Sequence, residues 1–308
     1  MQKRPFGNTG FSVSPLGFGG APIGLLQTER DAAGNLLNAL LDAGVNLIDT
    51  AARYKDSEEM IGQSVGHRRA EFVLVSKCGS AVPHVEAPEW SAEMVGKTID
   101  ASLQRLRTDH LDVMLLHSCD KAILERGEAV AALARARDAG KIRFAGYSGD
   151  NDAAAYAATL PDIAVIETSI NIADQANIDA VLPKCRERNL GVLAKRPIAN
   201  AAWMHRDAQP GFYKEYASTY TDRLKQMNLN PADLGFGGAP EQAWPELALR
   251  FTLSIPGVHT AIIGTTNPDN ARANIAIANK GPLPPAVVEH VRTAFRTANA
   301  GTTWTGQT

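Results

Sequence analysis

Four polar residues with the chemistry of proton transfer follow apolar, strand-like segments of this chain. Asp49, Lys77 and His117 each come at the end of such a run, and Tyr54 lies five residues after Asp49. In a barrel of parallel strands that alternate with helices, the carboxyl ends of all strands meet at one face, which carries the active site. The spacing therefore predicts that an acid, a phenol, an amine and an imidazole lie together in one site.

These side chains suit the reduction of a carbonyl by hydride. The carbonyl oxygen gains negative charge as hydride arrives, so an acid must be ready to protonate it. Tyr54 is the expected general acid, although a free phenol has a pKa near 10. An ammonium within ~4 Å favours the phenolate by up to ~4 kcal/mol at an effective dielectric constant of ~20. Lys77, held by Asp49, is expected to supply that field, and His117 to donate to the same oxygen.

Each of the four residues also has a structural explanation when it is taken alone. A lysine or aspartate at a strand end is usually a member of an ion pair, and a histidine after an apolar run is usually a satisfied core residue. Tyr54 alone could be a surface tyrosine. The combination favours the functional interpretation, because a buried lysine needs a partner and packing alone does not require all four residues on successive strands.

Eight apolar segments alternate with amphipathic helical patterns, which predicts a (β/α)8 TIM barrel. Their continuous hydrophobicity is typical of parallel strands that are covered by helices. We expect one domain over residues 1–308, with an N-terminal β-hairpin around residues 7–10 and an extra C-terminal helix over residues 284–300. The eight segments are residues 15–20, 45–50, 72–79, 112–118, 142–149, 164–171, 191–197 and 260–266.

Several helix ends are also readable. Thr28 with Asp31 predicts a capping box for the first long helix, and Gly44 predicts its end. Ser91 is expected to cap a later helix, and Gly140 to end another.

A long segment after the seventh strand interrupts the repeat. Residues 205–240 lie on a loop at the predicted active-site face, and the aromatic stretch 212–216 makes this loop a candidate substrate lid. Trp90, Trp203 and Met204 lie on loops of the same face. Each of the three either shapes the pocket or packs a loop.

Composition excludes several classes of function. With 44% hydrophobic and 21% charged residues and a net charge of −2, the chain lacks the basic footprint of a nucleic-acid-binding protein. No apolar stretch reaches the ~20 residues that span a bilayer, and the first residues lack a secretory signal pattern. Three widely spaced cysteines favour free thiols in a reducing cytoplasm, and no Cys/His spacing predicts a metal site. We expect a cytoplasmic monomer or homo-oligomer.

Four segments resemble the aldo-keto reductase superfamily, and the resemblance extends over about residues 7–278. They are LGFGG at residues 16–20, NLIDTAARY at 46–54, SEEMIG at 57–62, and SLQRLRTDHLD at 102–112, which runs on to His117. The resemblance implies an αβ barrel without a Rossmann domain that binds NAD(P)H across its mouth. It also implies that Asp49, Tyr54, Lys77 and His117 form the catalytic tetrad.

The resemblance assigns cofactor-binding positions near the nicotinamide, and several depart from the usual residues. Ser148 keeps the serine that holds the carboxamide, but Gly149 replaces the usual asparagine, with Asn151 close by. Glu167 stands where a glutamine is usual, and a carboxylate cannot donate to the carboxamide oxygen unless it is protonated. Lys195 aligns with a tyrosine that stacks on the nicotinamide, and a paired lysine that points away is the alternative. Arg196 and Pro197 follow it.

The segment after the eighth strand aligns with residues that bind the adenosine phosphates. Where many members place Lys and Arg against the 2′-phosphate, this chain has Gly264 and Asn270, with Arg272 nearby. On family grounds NADP(H) is expected over NAD(H). The remaining assigned residues are Thr265, Thr266 and the adenine-contacting Asn274.

The predicted function is an NAD(P)H-dependent oxidoreductase that interconverts a carbonyl (an aldehyde, ketone or sugar-like compound) and an alcohol. Two alternatives stay open. One is a nicotinamide-binding regulatory or sensing subunit with little turnover. The other is a barrel enzyme that uses Lys77 as a Schiff base.

Overall fold

Eight parallel strands close into a barrel in the computed structural model, which describes residues 1–83, 85–204 and 217–307. Each barrel strand pairs with the next along the chain, and the last pairs with the first, so the predicted (β/α)8 barrel is confirmed. The barrel strands are β3 (Leu16–Gly19), β4 (Leu47–Asp49), β5 (Val73–Cys78), β6 (Leu111–His117), β7 (Ile142–Ser148), β8 (Ile163–Ser169), β9 (Gly191–Lys195) and β10 (Thr260–Ile263).

The predicted N-terminal hairpin closes the amino end of the barrel. Its strands, β1 (Arg4–Pro5) and β2 (Ser12–Val13), pair in antiparallel fashion. Phe6 is fully buried and belongs to the same apolar cluster as Val75, Val113 and Leu115 of the barrel strands. A Cβ on Gly191, at the start of β9, would lie 2.9 Å from the Phe6 ring, so this strand position accommodates only a residue without a side chain. The carboxyl ends of the strands stay open.

The strands are surrounded by helices that bury their apolar faces, as the alternating pattern predicts. No helix in the described ranges is long and apolar enough to cross a membrane. The helices are α1 (Ala21–Leu25), α2 (Arg30–Asp42), α3 (Ser57–Val65), α4 (Ala92–Leu106), α5 (Lys121–Arg126), α6 (Glu128–Asp138), α7 (Asn151–Ala157), α8 (Ala176–Ala180), α9 (Leu182–Glu187), α10 (Ser218–Met227), α11 (Pro240–Ser254), α12 (Pro268–Asn279) and α13 (Pro285–Ala298).

Three of the predicted helix ends are confirmed and one is wrong. Ser91 Oγ accepts from the Met94 N–H at 3.0 Å, and Gly44 and Gly140 end their helices at positive φ. The capping box at Thr28 does not form. The N-cap of α2 is Glu29, and the Thr28 hydroxyl instead donates to the Pro22 carbonyl at 3.4 Å. The helix begins one residue later than predicted, so Thr28 does not occupy the capping position in front of its free N–H groups.

The described parts of the two segments outside the plain repeat meet where α10 contacts α13. The proposed lid residues 212–216 lie outside the described residues, and the part of the loop that follows them forms α10 and a short 3-10 turn at Pro231–Leu234. The predicted C-terminal helix is α13. After it the chain returns to the barrel, where the Gln307 N–H donates to Asp174 Oδ2 at 3.0 Å.

Candidate active site

A cavity of about 780 Å³ opens at the carboxyl ends of the barrel strands. Four barrel strands end in a polar residue that lines this cavity, and Tyr54 lines it too. The four are Asp49 of β4, His117 of β6, Ser148 of β7 and Lys195 of β9. The side chains that the sequence placed at strand ends therefore do lie at one face, as the geometry of a parallel barrel requires.

Lys77 lies at the base of this site between two carboxylates. Its Nζ is 2.5 Å from Asp49 Oδ1 and 3.2 Å from Glu167 Oε2, and it also donates to the Thr50 carbonyl oxygen at 3.1 Å. The side chains of the three charged residues are only 1–3% exposed. The sequence predicted the contact with Asp49. It did not predict the contact with Glu167.

The charges of these three residues are strongly coupled. Burial alone would lower the pKa of the Lys77 ammonium, but Asp49 and Glu167 raise it above its ordinary value, so Lys77 stays charged. Burial and the neighbouring Glu167 raise the pKa of Asp49 well above its usual range, against the opposing effect of Lys77. Such a raised value is the expected behaviour of two carboxylates at one dry site.

Tyr54 lies against both Lys77 and His117. Lys77 Nζ is 5.5 Å from the centre of the Tyr54 ring, and the rings of Tyr54 and His117 meet edge to face at 5.7 Å. Burial raises the pKa of Tyr54 to about 12; Lys77 lowers it, whereas Asp49 and Glu167 raise it. Lys77 therefore acts on the phenol in the expected direction, but burial and the two carboxylates outweigh it. Tyr54 is a protonated phenol at neutral pH.

His117 is a neutral imidazole. Burial lowers its pKa well below the usual value, and the cations of Lys77, Lys195 and Arg53 lower it further. Its Nδ1 is buried and has no hydrogen-bond partner in the described part of the chain. A neutral imidazole carries one N–H donor. His117 can therefore donate one hydrogen bond to a substrate oxygen without carrying charge.

Ser148 and Glu167, two predicted cofactor contacts, bond to each other. The Ser148 hydroxyl donates to Glu167 Oε1 at 3.1 Å.

Asn151 does not supply the asparagine that is missing at Gly149. Its amide is bound to the backbone of Gly306, accepting from the N–H at 2.6 Å and donating to the carbonyl at 3.0 Å.

Lys195 lines the cavity but is paired with Asp150. Its Nζ is 3.0 Å from Asp150 Oδ2, and the other Asp150 oxygen accepts from Ser169 N–H at 2.7 Å and Asn177 Nδ2 at 2.8 Å. Burial would raise the pKa of Asp150, yet Lys195 and the Ser169 N–H hold it below its usual value. Of the two arrangements that the sequence allowed for Lys195, the structure shows the ion pair.

Arg196 and Pro197 also line the cavity, and the C-terminal segment forms a hydrogen bond with Arg196. Arg196 Nη1 donates to Ser169 Oγ at 3.0 Å and to the Gln307 carbonyl oxygen. The residues of this network that the sequence did not single out are Asp150, Ser169, Asn177 and Gln307. Asp150 carried a usable signal, because it is a polar residue only two positions beyond the end of β7, and the other polar residues of the mouth lie at strand ends.

The predicted phosphate-binding residues lie at the far end of the same cavity. Gly264, Thr265, Thr266 and Asn270 line it, beside the N-terminus of α12, where Asn267 Oδ1 caps the Asp269 N–H at 2.8 Å. A helix N-terminus of this length favours an anion.

Two other predicted residues of this segment do not line the cavity. Asn274 is buried within α12, and Arg272 is exposed and paired with Asp269.

The three large side chains at the mouth differ in role. Met204 lines the cavity and is 38% exposed. Trp203 stacks on Trp244 with ring centres 5.6 Å apart, and Trp90 covers Gly79. Met204 therefore belongs to the pocket, whereas both tryptophans pack loops.

Comparison with known proteins agrees with this geometry. The sequence model of the Aldo/keto reductase family matches residues 15–295. The chain belongs to this family. Its members are oxidoreductases that use nicotinamide cofactors and act on small-molecule carbonyl compounds.

Relatives match this chain over most of its length. The chain is similar to L-galactose dehydrogenase of Arabidopsis thaliana, with 26% identity and coverage of 90% of this chain and 88% of that protein. It is 27% identical to the NADH-specific methylglyoxal reductase of Escherichia coli, covering 91% and 94% of the two chains. The fold matches the holo form of aldo-keto reductase AKR11C1 from Bacillus halodurans, with a TM-score of 0.80, 23% identity and 96% coverage of both chains.

Proposed function

We propose that this protein is an NAD(P)H-dependent oxidoreductase that interconverts a small aldehyde, ketone or sugar-like carbonyl with its alcohol. Tyr54 acts as the general acid in reduction and as the general base in oxidation. The observation that carries the proposal is the placement of a protonated Tyr54 beside a buried, charged Lys77 and a neutral His117, with Tyr54 and His117 lining one cavity. That set offers a proton and a second hydrogen bond to one carbonyl oxygen.

The residues of the cavity fit a nicotinamide cofactor, which when bound supplies or accepts the hydride. Ser148, Glu167 and Lys195 would hold its nicotinamide end. Residues 264–266 and the N-terminus of α12 would hold its phosphates. A Cβ on Gly264 would lie 2.6 Å from the Gly19 carbonyl oxygen, so only glycine lets the segment after β10 pack this closely on the end of β3.

The protein's own groups carry out the proton chemistry. Tyr54 donates its phenolic proton to the carbonyl oxygen as charge develops there, while His117 donates a hydrogen bond that orients the same oxygen. Lys77, held by Asp49 and Glu167, stabilises the phenolate that Tyr54 leaves behind. In alcohol oxidation the same phenolate removes the hydroxyl proton.

Turnover of a generic aldehyde tests the proposal. The purified protein should reduce 4-nitrobenzaldehyde with NADPH or NADH, followed through the loss of reduced-nicotinamide absorbance. Tight cofactor binding without turnover of a panel of small carbonyls would favour the regulatory alternative. Borohydride trapping of a carbonyl compound on Lys77 in the absence of nicotinamide would favour the Schiff-base alternative.

We further propose that NADP(H) is preferred, with Arg272 as the contact for the 2′-phosphate. Arg272 is the one cation between residues 264 and 274, and its pair with Asp269 is exposed on both sides. An exposed pair is worth only about 0–1 kcal/mol, so a phosphate can displace the carboxylate.

Arg272→Ala should therefore weaken NADPH binding by about 3- to 10-fold and leave NADH binding unchanged. Asp269→Asn, which keeps Arg272 and removes its competitor, should tighten NADPH binding. Fluorescence titration of both cofactors against both variants measures this. Tighter binding of NADH than of NADPH by the unaltered protein, together with no effect of Arg272→Ala, would make the protein an NAD(H) enzyme instead.

A further inference from the structure

A second carboxylate contacts the lysine of the proposed catalytic group. Glu167 lies on β8 and Lys77 on β5, so the 3.2 Å contact between Glu167 Oε2 and Lys77 Nζ crosses the barrel interior. Asp49 contacts the same nitrogen at 2.5 Å. Three ionisable side chains, two acidic and one basic, thus meet at one atom in a region where each is at most 3% exposed.

With both carboxylates ionised, this group carries one uncompensated negative charge. Burial of an unpaired charge costs several kcal/mol, and the neighbouring groups of the site do little to balance it. Lys195 is already paired with Asp150, whose charge Arg196 also stabilises. His117 is neutral, and Arg53 is exposed to solvent. The charged and titratable groups around the site are Asp49, Tyr54, Lys77, His117, Glu167, Lys195 with Asp150, Arg53 and Arg196.

Hydrogen bonding at Glu167 also indicates that one of its carboxylate oxygens needs a donor. Its Oε1 accepts from Ser148 Oγ, but its Oε2 is buried without a hydrogen-bond donor among the described residues, although Lys77 Nζ is near. Asp49 lies within hydrogen-bonding reach of Glu167, so a carboxyl O–H on Asp49 would supply a donor to Glu167 and remove the excess charge in one step. Two carboxylates that share a site commonly hold one proton between them.

We propose that Asp49 and Glu167 share one proton beside the Lys77 ammonium, and that release of this proton slows carbonyl reduction as pH rises. The proposal rests on the proposed role of Tyr54 as general acid. When the proton leaves, the group gains a negative charge close to Tyr54. The phenol then holds its own proton more tightly, and it becomes a weaker acid toward the substrate. The raised pKa of Asp49 agrees with this arrangement.

Glu167→Gln tests the proposal through the pH profile of kcat/KM for carbonyl reduction. In the unaltered protein kcat/KM should fall by up to about tenfold through the release of the shared proton, before Tyr54 itself ionises. In Glu167→Gln, Asp49 is the single carboxylate on Lys77, so this step should disappear. A step that persists unchanged in Glu167→Gln would overturn the proposal.

A readout independent of activity is the infrared carbonyl band of a protonated carboxylic acid. The band should be present in the unaltered protein, and should be lost in both Glu167→Gln and Asp49→Asn over the same pH range. Asp174 is a second buried carboxyl, with its pKa raised to about 6, so the difference between variants isolates the shared proton. An identical band in all three proteins would contradict the proposal even if a variant is inactive.

Two controls are needed. One shows whether an effect comes from general damage to the protein, and the other shows whether a negative result refutes the shared proton or the proposed function. Glu246→Gln removes a carboxylate that pairs with Arg250 and Lys280 on the outer helices, and should leave both the profile and the band unchanged. Absence of turnover in the unaltered protein would refute the proposed function. An active Glu167→Gln with the unaltered pH step would refute the shared proton alone.

Discussion

Tyr54→Phe should lower carbonyl reduction by about 10²- to 10⁴-fold, because it removes the proton donor and keeps the ring. The ring would still pack edge to face on His117, so the shape of the pocket should be preserved. Binding of the reduced cofactor should stay nearly unchanged. The measurement is kcat/KM under conditions where chemistry limits the rate, together with the dissociation constant of the cofactor.

Tyr156→Phe is the matched control for this variant. Tyr156 lies on α7, and its ring contacts Lys121 on the outside of the barrel rather than the cavity. Loss of its hydroxyl should leave turnover unchanged. Retention of more than about a tenth of turnover in Tyr54→Phe would remove Tyr54 from the role of general acid, since acid catalysis typically contributes at least 10²-fold.

The barrel was predictable because each strand has its own hydrophobic pattern in the sequence. Strands that are buried on both faces appear as continuous apolar runs, and eight such runs leave few other topologies. Boundaries were less predictable. The run at residues 45–50 contains β4 at Leu47–Asp49, and the run at 260–266 contains β10 at Thr260–Ile263. After Ile263 the backbone leaves the strand pairing and residues 264–266 line the cavity, a change that the hydrophobic pattern does not reveal.

The position of the site was predictable for the same reason, but the partners within it were not. A strand end indicates which face a side chain reaches. This placed Asp49, Tyr54 and His117 correctly on the cavity, whereas Lys77 is buried next to it, in contact with Asp49 and Tyr54. Which carboxylate meets which cation depends on distances across the barrel. Glu167 reaches Lys77 from three strands away, and Lys195 finds Asp150 from the neighbouring loop. Neither contact follows from spacing along the chain.

Lys77→Met should abolish most activity and also lower the free energy of unfolding by about 3–5 kcal/mol, because it leaves buried carboxylates without their cation. Methionine fills much of the volume of the lysine stem, so the loss is electrostatic rather than a cavity effect. Asp49 and Glu167 are both within 3.2 Å of the ammonium that is removed. Equilibrium unfolding in denaturant measures the change.

The pH dependence of that loss separates electrostatics from packing. Without the ammonium, the pKa of Asp49 in the folded state rises still further above its unfolded value. The folded state of the variant then binds protons more readily than the unfolded state, so its stability should recover as pH falls through the folded pKa and be lost as pH rises. Lys97→Met, which removes an exposed lysine paired with Glu93, should cost at most about 1 kcal/mol. An unfolding midpoint of Lys77→Met equal to that of the unaltered protein would show that Asp49 and Lys77 are solvated.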